Sequence, residues 1–420
     1  MSNKKYSSCT LGDLIDVGIA ELQTGPFGTM LNAKEYTLSG VPVIAVQNIA
    51  ENRLYTNNLV YVNQDTARRL SRYRVLVGDI IFGRKGAVER RALIRRSEDG
   101  WIQGSDCIRL RVSSEISSEF LSYQLGSSHI IKWILTNAHG TTMPSLNQEI
   151  LSRLPLILPP LPVQKKIAAI LSSLDDKIEI NTRMNNVLEE IARALFHRWF
   201  VEFEFPNDEG KSYKSSGGRM IESELGEIPE GWRVGTVEDV VQIFGGSTPN
   251  TKNLEYWENG EHPFCTPKDL STLSTSIILD TERHITDKGV QTISSKQLPV
   301  GTLLLSSRAP VGYLAISAVP ISVNQGFIAM ICNETISNVY MIQWLQENME
   351  EIQGRANGST FLEISKRNFR GIPFLIPAEP VLSSYNRSVK PLYDFVENIV
   401  RENVRLRTLR DELLSKLMAS

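Results

Sequence analysis

The sequence has little of what builds a disulfide-stapled, metal-binding or membrane-spanning protein. Its 420 residues include four cysteines, Cys9, Cys107, Cys265 and Cys332, set far apart and without a C-x-x-C pair. Neither a zinc site nor a disulfide framework is indicated. The five histidines, at positions 129, 139, 197, 262 and 284, show no metal spacing. No run of about 18 apolar residues could span a bilayer, and Met1-Ser-Asn-Lys-Lys-Tyr6 lacks the apolar centre of a signal peptide. The expectation is a cytoplasmic protein with reduced thiols. A strong charge of either sign is missing too, since 45 Lys and Arg face 47 Asp and Glu. The balance is uneven: residues 1–160 carry 18 basic against 14 acidic side chains, and residues 201–378 carry 14 against 22. The second part is therefore no generic nucleic-acid binder, and any DNA contact there needs a local patch or a basic partner.

Catalytic signatures are absent as well. No G-x-G-x-x-G follows a strand, and there is no P-loop, G-x-S-x-G elbow or H-E-x-x-H. Without an Asn-Pro-Pro-aromatic motif, the chain is not expected to methylate an exocyclic amine. Asp79 opens a strand after a turn, where a turn-capping role competes with that of a nuclease carboxylate. Asp175-Asp176 and Glu189-Glu190 read as solvated faces of helices. No catalytic residue, metal or bound cofactor is expected.

What is present is a repeat. After Pro159-Pro-Leu-Pro162 the chain reads as one helix to about His197, and after Pro377-Ala-Glu-Pro380 as another almost to Ser420. The two match without a gap at an offset of 218 residues: Leu174 with Leu392, Ile178 with Val396, Leu188 with Leu406, Leu195 with Leu413. Seam positions alternate four and three apart, as in Ile167, Leu171, Leu174, Ile178, Asn181, Asn185 and Leu188, which is the period of a coiled coil. About 36 residues rising ~1.5 Å each make a rod of ~54 Å. Asn185 and its match Asn403 put a polar step in the seam, a device that fixes register, while Arg410 interrupts the second seam. Two copies of one helix would most simply pair with each other, and antiparallel pairing would leave their preceding domains at opposite ends.

The repeat extends upstream. Ala138-His-Gly-Thr-Thr-Met143 matches Ala356-Asn-Gly-Ser-Thr-Phe361, Gly78-Asp-Ile-Ile-Phe82 answers Gly301-Thr-Leu-Leu-Leu305, and Gln103-Gly104 answers Gln325-Gly326. Short β-branched runs at 43–46, 79–82, 107–112 and 154–158, and again at 264–266, 302–305, 327–332 and 372–376, read as strands. Residues 118–127 and 339–353 read as helices. The expected fold is α/β (α+β): two similar mixed α/β domains, 1–160 and 232–378, separated by two long helices, 161–200 and 379–420, forming an antiparallel coiled coil with pseudo-two-fold symmetry. Residues 201–231 would be a linker, flexible over the Gly- and Ser-rich stretch Pro206–Gly218.

Matched loops hold the candidate contacts to a partner. Thr24 and Gly25, like Ser247 and Thr248, lie in Gly-rich turns suited to phosphate contact or to a plain surface turn. Gln47-Asn48 and Lys268-Asp269 follow matched strands. Amides read adenine, Lys reaches guanine and Asp accepts from cytosine; loop capping is the competing reading. Arg84, Lys85, Arg90, Arg91 and Arg308 supply basic groups, Gln103 and Gln325 matched amides, and Thr141, Thr142, Ser359 and Thr360 hydroxyls before the last strands.

With these segments in view the chain resembles the specificity subunits of type I restriction-modification systems. The resemblance rests on Leu158-Pro-Pro-Leu-Pro-Val-Gln-Lys-Lys166 with its helix, Trp199-Phe-Val-Glu-Phe-Glu-Phe205, Gly226-Glu-Ile-Pro-Glu-Gly-Trp232 and Gly140-Thr-Thr-Met-Pro144. It implies two target-recognition domains that each read half of a split, asymmetric double-stranded DNA site, with the helices as a ruler for the spacer. It implies two modification (methyltransferase) subunits carrying S-adenosylmethionine, and ATP/Mg-dependent restriction subunits, with no catalysis by this chain. Val381-Leu-Ser-Ser384 departs from Val163-Gln-Lys-Lys166 at the start of the second helix. A stand-alone two-headed DNA-binding regulator is the other reading, and a cryptic enzyme a third.

Overall fold

In a computed structural model, which describes residues 6–140, 143–358 and 362–419, the four-three spacing forms both helices. Helix α1 spans Leu161–Phe196 and continues as a π-helical turn, His197–Val201; helix α2 spans Glu379–Ala419. The prolines at their starts fit there because first-turn amides have no intrahelical acceptor. The chain divides into two units, Met1–Ile178 with Arg405–Ser420 and Glu179–Val404. Each unit thus holds one globular domain and a length of both helices.

The first domain is built on a five-stranded sheet. Its strands are β1 (Ala20–Thr24), β2 (Glu51–Asn52), β3 (Ile80–Gly83), β4 (Arg91–Leu93) and β5 (Cys107–Val112), in the order β1-β5-β3-β4-β2. The second repeats it with β6 (Gln242–Phe244), β7 (Ile277–Ile278), β8 (Leu303–Ser307), β9 (Val311–Ser317) and β10 (Phe327–Ile331), in the order β6-β10-β8-β9-β7. The duplication seen in sequence is therefore a duplication of topology. β3 and β8 are buried along their whole length, as central strands covered on both faces require. A smaller sheet accompanies each: four strands including Val41–Ile44 in the first domain, three including His262–Cys265 in the second. Strand ends differ from the sequence expectation by one or two residues, the usual consequence of fraying and turn geometry.

Within the second unit, Asn181 Nδ2 donates to Asn403 Oδ1 at 2.8 Å and to Glu402 Oε2 at 2.8 Å, and the Tyr385 hydroxyl donates to the Ala192 carbonyl at 3.4 Å. Numbers rise along α1 as they fall along α2, so the pairing is antiparallel. Within the first unit, Ile167 and Leu171 of α1 share a core with Leu414 of α2 and with Phe120 and Tyr123 of the domain. The two asparagines expected to fix register stand in different surroundings. Asn403 meets Asn181, whereas Asn185 is 1% exposed and, among the described residues, neither its amide nitrogen nor its oxygen has a partner. The repeat explains the asymmetry, because the position matching Asn181 is Ile399, a buried apolar residue that cannot answer Asn185. Asn185→Leu is therefore expected to raise stability by about 1–3 kcal/mol, read as a higher urea midpoint. A fall would show that Asn185 is bonded after all.

The stretch Pro206–Gly218, expected to be flexible, is held in place. Phe205 stacks on Tyr213 at 4.5 Å between ring centroids and on Trp232 at 5.3 Å. Gly218 N donates to Tyr213 O at 2.8 Å, and a Cβ on Gly218 would stand 2.4 Å from the Tyr213 ring. A hairpin follows, Met220–Ser223 with Gly226–Pro229. Polar composition suggested a linker, yet three aromatic rings spaced along the chain provide a core of their own. Among the described residues no helix is long and apolar enough to cross a membrane.

Candidate nucleic-acid interface

Each five-stranded sheet ends in a cluster of loops, and backbone bonds lock the two clusters into one pattern. In the first, Arg84 N donates to Asp106 O at 2.8 Å and Leu146 N to Arg84 O at 2.8 Å. In the second, Ser307 N donates to Gly326 O at 2.8 Å and Ile364 N to Ser307 O at 3.0 Å. Lys85 bridges to Ser145 and Arg308 bridges to Glu363. Arg84 therefore matches Ser307, and Lys85 matches Arg308. The turns after β1 and β6 press onto a neighbouring loop. A Cβ on Gly25 would lie 1.9 Å from Gly104 O, and one on Gly246 would lie 1.7 Å from Val323 O. Glycine is needed at both places because no side chain fits.

The pattern corrects one match made in sequence. Gly104 N donates to Ile44 O at 3.0 Å and Asn324 N to Cys265 O at 3.1 Å. Gly104 thus answers Asn324, and Gln103 answers Val323, not Gln325. The shared Gln-Gly dipeptide is a coincidence two residues out of register. Gln103 is fully buried, its Nε2 donating to Gln23 O at 2.8 Å and Cys107 O at 2.9 Å, so it supports the loops and faces no ligand. Gln325 is exposed and its Oε1 accepts from the Thr248 hydroxyl at 2.7 Å.

Three more candidates turn inward. Asn48 is 1% exposed, its Oδ1 accepting from Ala45 N at 3.0 Å and its Nδ2 donating to Tyr55 O and Asn57 O. Asp269 accepts from Thr266 N at 2.8 Å, from the Thr266 hydroxyl at 2.7 Å and from Glu282 N at 2.8 Å. Both cap the turn after a strand, so of each pair only Gln47 and Lys268 are exposed. Lys268 carries Glu282 at 2.6 Å, a hydrogen bond and charge that raise its amine. Arg91 is also withdrawn: it is 4% exposed, its Nε donates to Ser122 O, and burial drives its guanidinium down to about 10.

The remaining candidates lie at the surface. Thr24 Oγ1 accepts from Gln148 Nε2 at 3.0 Å, and Ser247 is half-buried. Lys85 lies 3.6 Å from Asp106, Arg90 3.9 Å from Glu89 and Arg308 3.9 Å from Glu363. The Arg84 guanidinium sits 4.6 Å above the Phe27 ring. Thr141, Thr142, Ser359 and Thr360 lie outside the described residues. Sequence reasoning missed Phe27, and also Gln148 and Lys366, which the same 218-residue offset pairs. Gln148 reaches Thr24, and the Lys366 amine lies where a side chain on Gly245 would stand.

The groups with possible enzymatic chemistry are engaged elsewhere. Asp79 is buried, caps its turn through Leu76 N at 2.7 Å, and pairs with Arg111 through two 2.7 Å bonds. Burial pushes the Cys107 and Cys332 thiols up to about 12, leaving them protonated and poor nucleophiles. Among the described residues no three His, Cys, Asp or Glu side chains are grouped to hold a metal ion.

Fold and site together define a duplicated recognition protein: one scaffold used twice, with different side chains on matched loops. Residues 3–190 and 229–381 match the family described as type I restriction modification DNA specificity domain, and the chain belongs to that family. It is similar to the MjaIX specificity subunit of Methanocaldococcus jannaschii, 34% identical over 197 residues that span 46% of this chain and 45% of that protein. The putative MjaX specificity subunit of the same organism is 25% identical over 391 residues, 90% of this chain and 86% of that one. The HindI specificity subunit of Haemophilus influenzae is 26% identical over 355 residues, 71% of this chain and 76% of that protein. Among solved structures, the S subunit of a type I restriction-modification system from M. genitalium shares the fold, with a TM-score of 0.56 and 16% identity over 100% of this chain and 97% of that one.

Proposed function

We propose that this chain supplies DNA sequence specificity to a type I restriction-modification complex, each domain reading one half of a bipartite, asymmetric site. The observation that carries the reading is the pair of loop clusters. Matching backbone bonds present Arg84, Lys85 and Gln148 in one and Arg308 and Lys366 in the other, as two readers of different sequences need. The helices would set the spacer and dock two modification subunits. Ile180, Val187 and Ile191 of α1 are exposed, seven and four residues apart on one face, and offer an apolar stripe for such a partner. S-adenosylmethionine would be bound by the modification subunits, and ATP and Mg by restriction subunits that join them, leaving no catalytic step to this chain.

Co-expression with a modification subunit in a host without adenine methylation tests the assignment. The expected result is a co-purifying complex and methylation of one split motif across the genome. Tight, sequence-specific DNA binding by the pure chain, with no methyltransferase ever associating, would instead establish the stand-alone regulator.

A further inference from the structure

The loop cluster of the first domain holds a cation that its own fold leaves unspent. Lys85, Arg90, Lys268 and Arg308 each lie within 4.0 Å of a carboxylate. Among the described residues the Arg84 guanidinium makes no hydrogen bond or ion pair, and it lies over the Phe27 ring at 4.6 Å. Phe27 is itself 50% exposed, so the stacked pair stands at the surface of the cluster. Both residues rise from rigid stems. Arg84 is fixed through its N–H and its carbonyl at 2.8 Å each. Phe27 follows Gly25, whose N–H donates to Cys107 O at 3.0 Å, and a buried Pro26.

A guanidinium stacked on a ring loses less freedom when it binds, and it keeps all five donors in a planar fork. That fork matches the O6 and N7 acceptors of guanine in the major groove. Taking the chain as a specificity subunit, we infer that Arg84 reads a guanine in the half-site of the first domain, with Phe27 as the residue that positions it. The second domain has Ser307 and Thr248 at the matching places, one buried and one bonded to Gln325, so it lacks this reader.

Methylation mapping of the complex formed with a modification subunit tests the inference. Arg84→Lys keeps the charge and removes the fork. It is expected to reduce discrimination at a single G·C pair of one half-site by about five- to a hundredfold, with every other position unchanged. Phe27→Ala is expected to weaken the same position by about two- to fivefold, and Phe27→Tyr to preserve it. A uniform loss across the motif would make Arg84 a phosphate contact and overturn the inference; so would an unchanged motif. If the wild-type chain directs no methylation at all, the assignment as a specificity subunit fails instead.

Discussion

Replacing Arg410 with methionine is expected to destabilise the first unit by about 3–5 kcal/mol, the cost of leaving a buried carboxylate without its cation. In sequence Arg410 reads as a flaw in the seam. In the fold its side chain is 11% exposed and the Asp175 side chain 7%. Arg410 Nη1 donates to Asp175 Oδ1 at 2.9 Å, Nη2 to Glu51 Oε1 at 3.1 Å and Nε to Asp411 Oδ1 at 2.9 Å. The Tyr123 hydroxyl donates to the second Asp175 oxygen at 2.7 Å. Burial alone would lower the guanidinium, but the bond to Asp175 and the charges of Asp175, Glu51 and Asp411 outweigh it and hold Arg410 above its ordinary value. One residue thus ties α2 to α1 and to β2 of the domain. The test is chemical denaturation of Arg410→Met beside the double variant Arg410→Met/Asp175→Leu. The double variant should recover most of the loss, because apolar groups replace a buried pair at little net cost. A single variant within about 0.5 kcal/mol of wild type would show that the pair is solvated and the seam reading right.

The repeat shows why this network was invisible in sequence. Under the 218-residue offset Asp175 matches Tyr393 and Arg410 matches Ala192, so the charged positions of one unit carry uncharged residues in the other. The aromatic hydroxyl has changed sides as well. Tyr123 of the domain bonds Asp175 of α1, whereas Gln343 of the domain donates to the Tyr393 hydroxyl of α2 at 2.7 Å. Such exchanges are compensated across contacts 50 to 235 residues apart in sequence, and no local pattern reports them. Glu189, also expected to be solvated, likewise accepts from Ser276 N at 2.8 Å and ties α1 to the second domain. What was legible is what is local: the four-three apolar spacing of α1 and α2, the apolar runs of the central strands, and the glycines at the tight turns after β1 and β6. The candidate site was legible as loops but not as side chains. Whether Asn48 points at a ligand or at Ala45 N depends on backbone angles three residues away, and Phe27 meets Arg84 only once the sheet is formed.

Truncating Phe200 is the second change with a large expected effect, and it probes the other end of the helical pair. The segment after α1 turns π-helical at His197–Val201, and that wider turn brings Trp199 and Phe200 together onto the domain. Phe200 is 7% exposed. Its ring lies 4.8 Å from Tyr340 and 4.9 Å from Tyr385, both edge-on, and 5.9 Å from Trp232. These rings come from α2, from the domain and from the segment that opens it, so Phe200 closes a contact among three parts of the second unit. The repeat again supplies a control. Phe196, Tyr340 and Tyr385 match Leu414, Phe120 and Ile167 in the first unit, which packs the same junction with smaller groups. A large void is therefore specific to the second unit. Phe200→Ala is expected to cost about 3–5 kcal/mol, from lost burial plus a cavity that flanking rings cannot collapse to fill. Phe200→Leu keeps most of the apolar volume and forfeits mainly the edge-to-face contacts, at about 0.5–1.5 kcal/mol per pair. Urea unfolding followed by tryptophan fluorescence should show the transition of the second unit moving to lower urea while that of the first stays in place. If both transitions shift together, the two units unfold as one, and the junction at Phe200 governs the cooperativity of the whole chain as well as the stability of its second half.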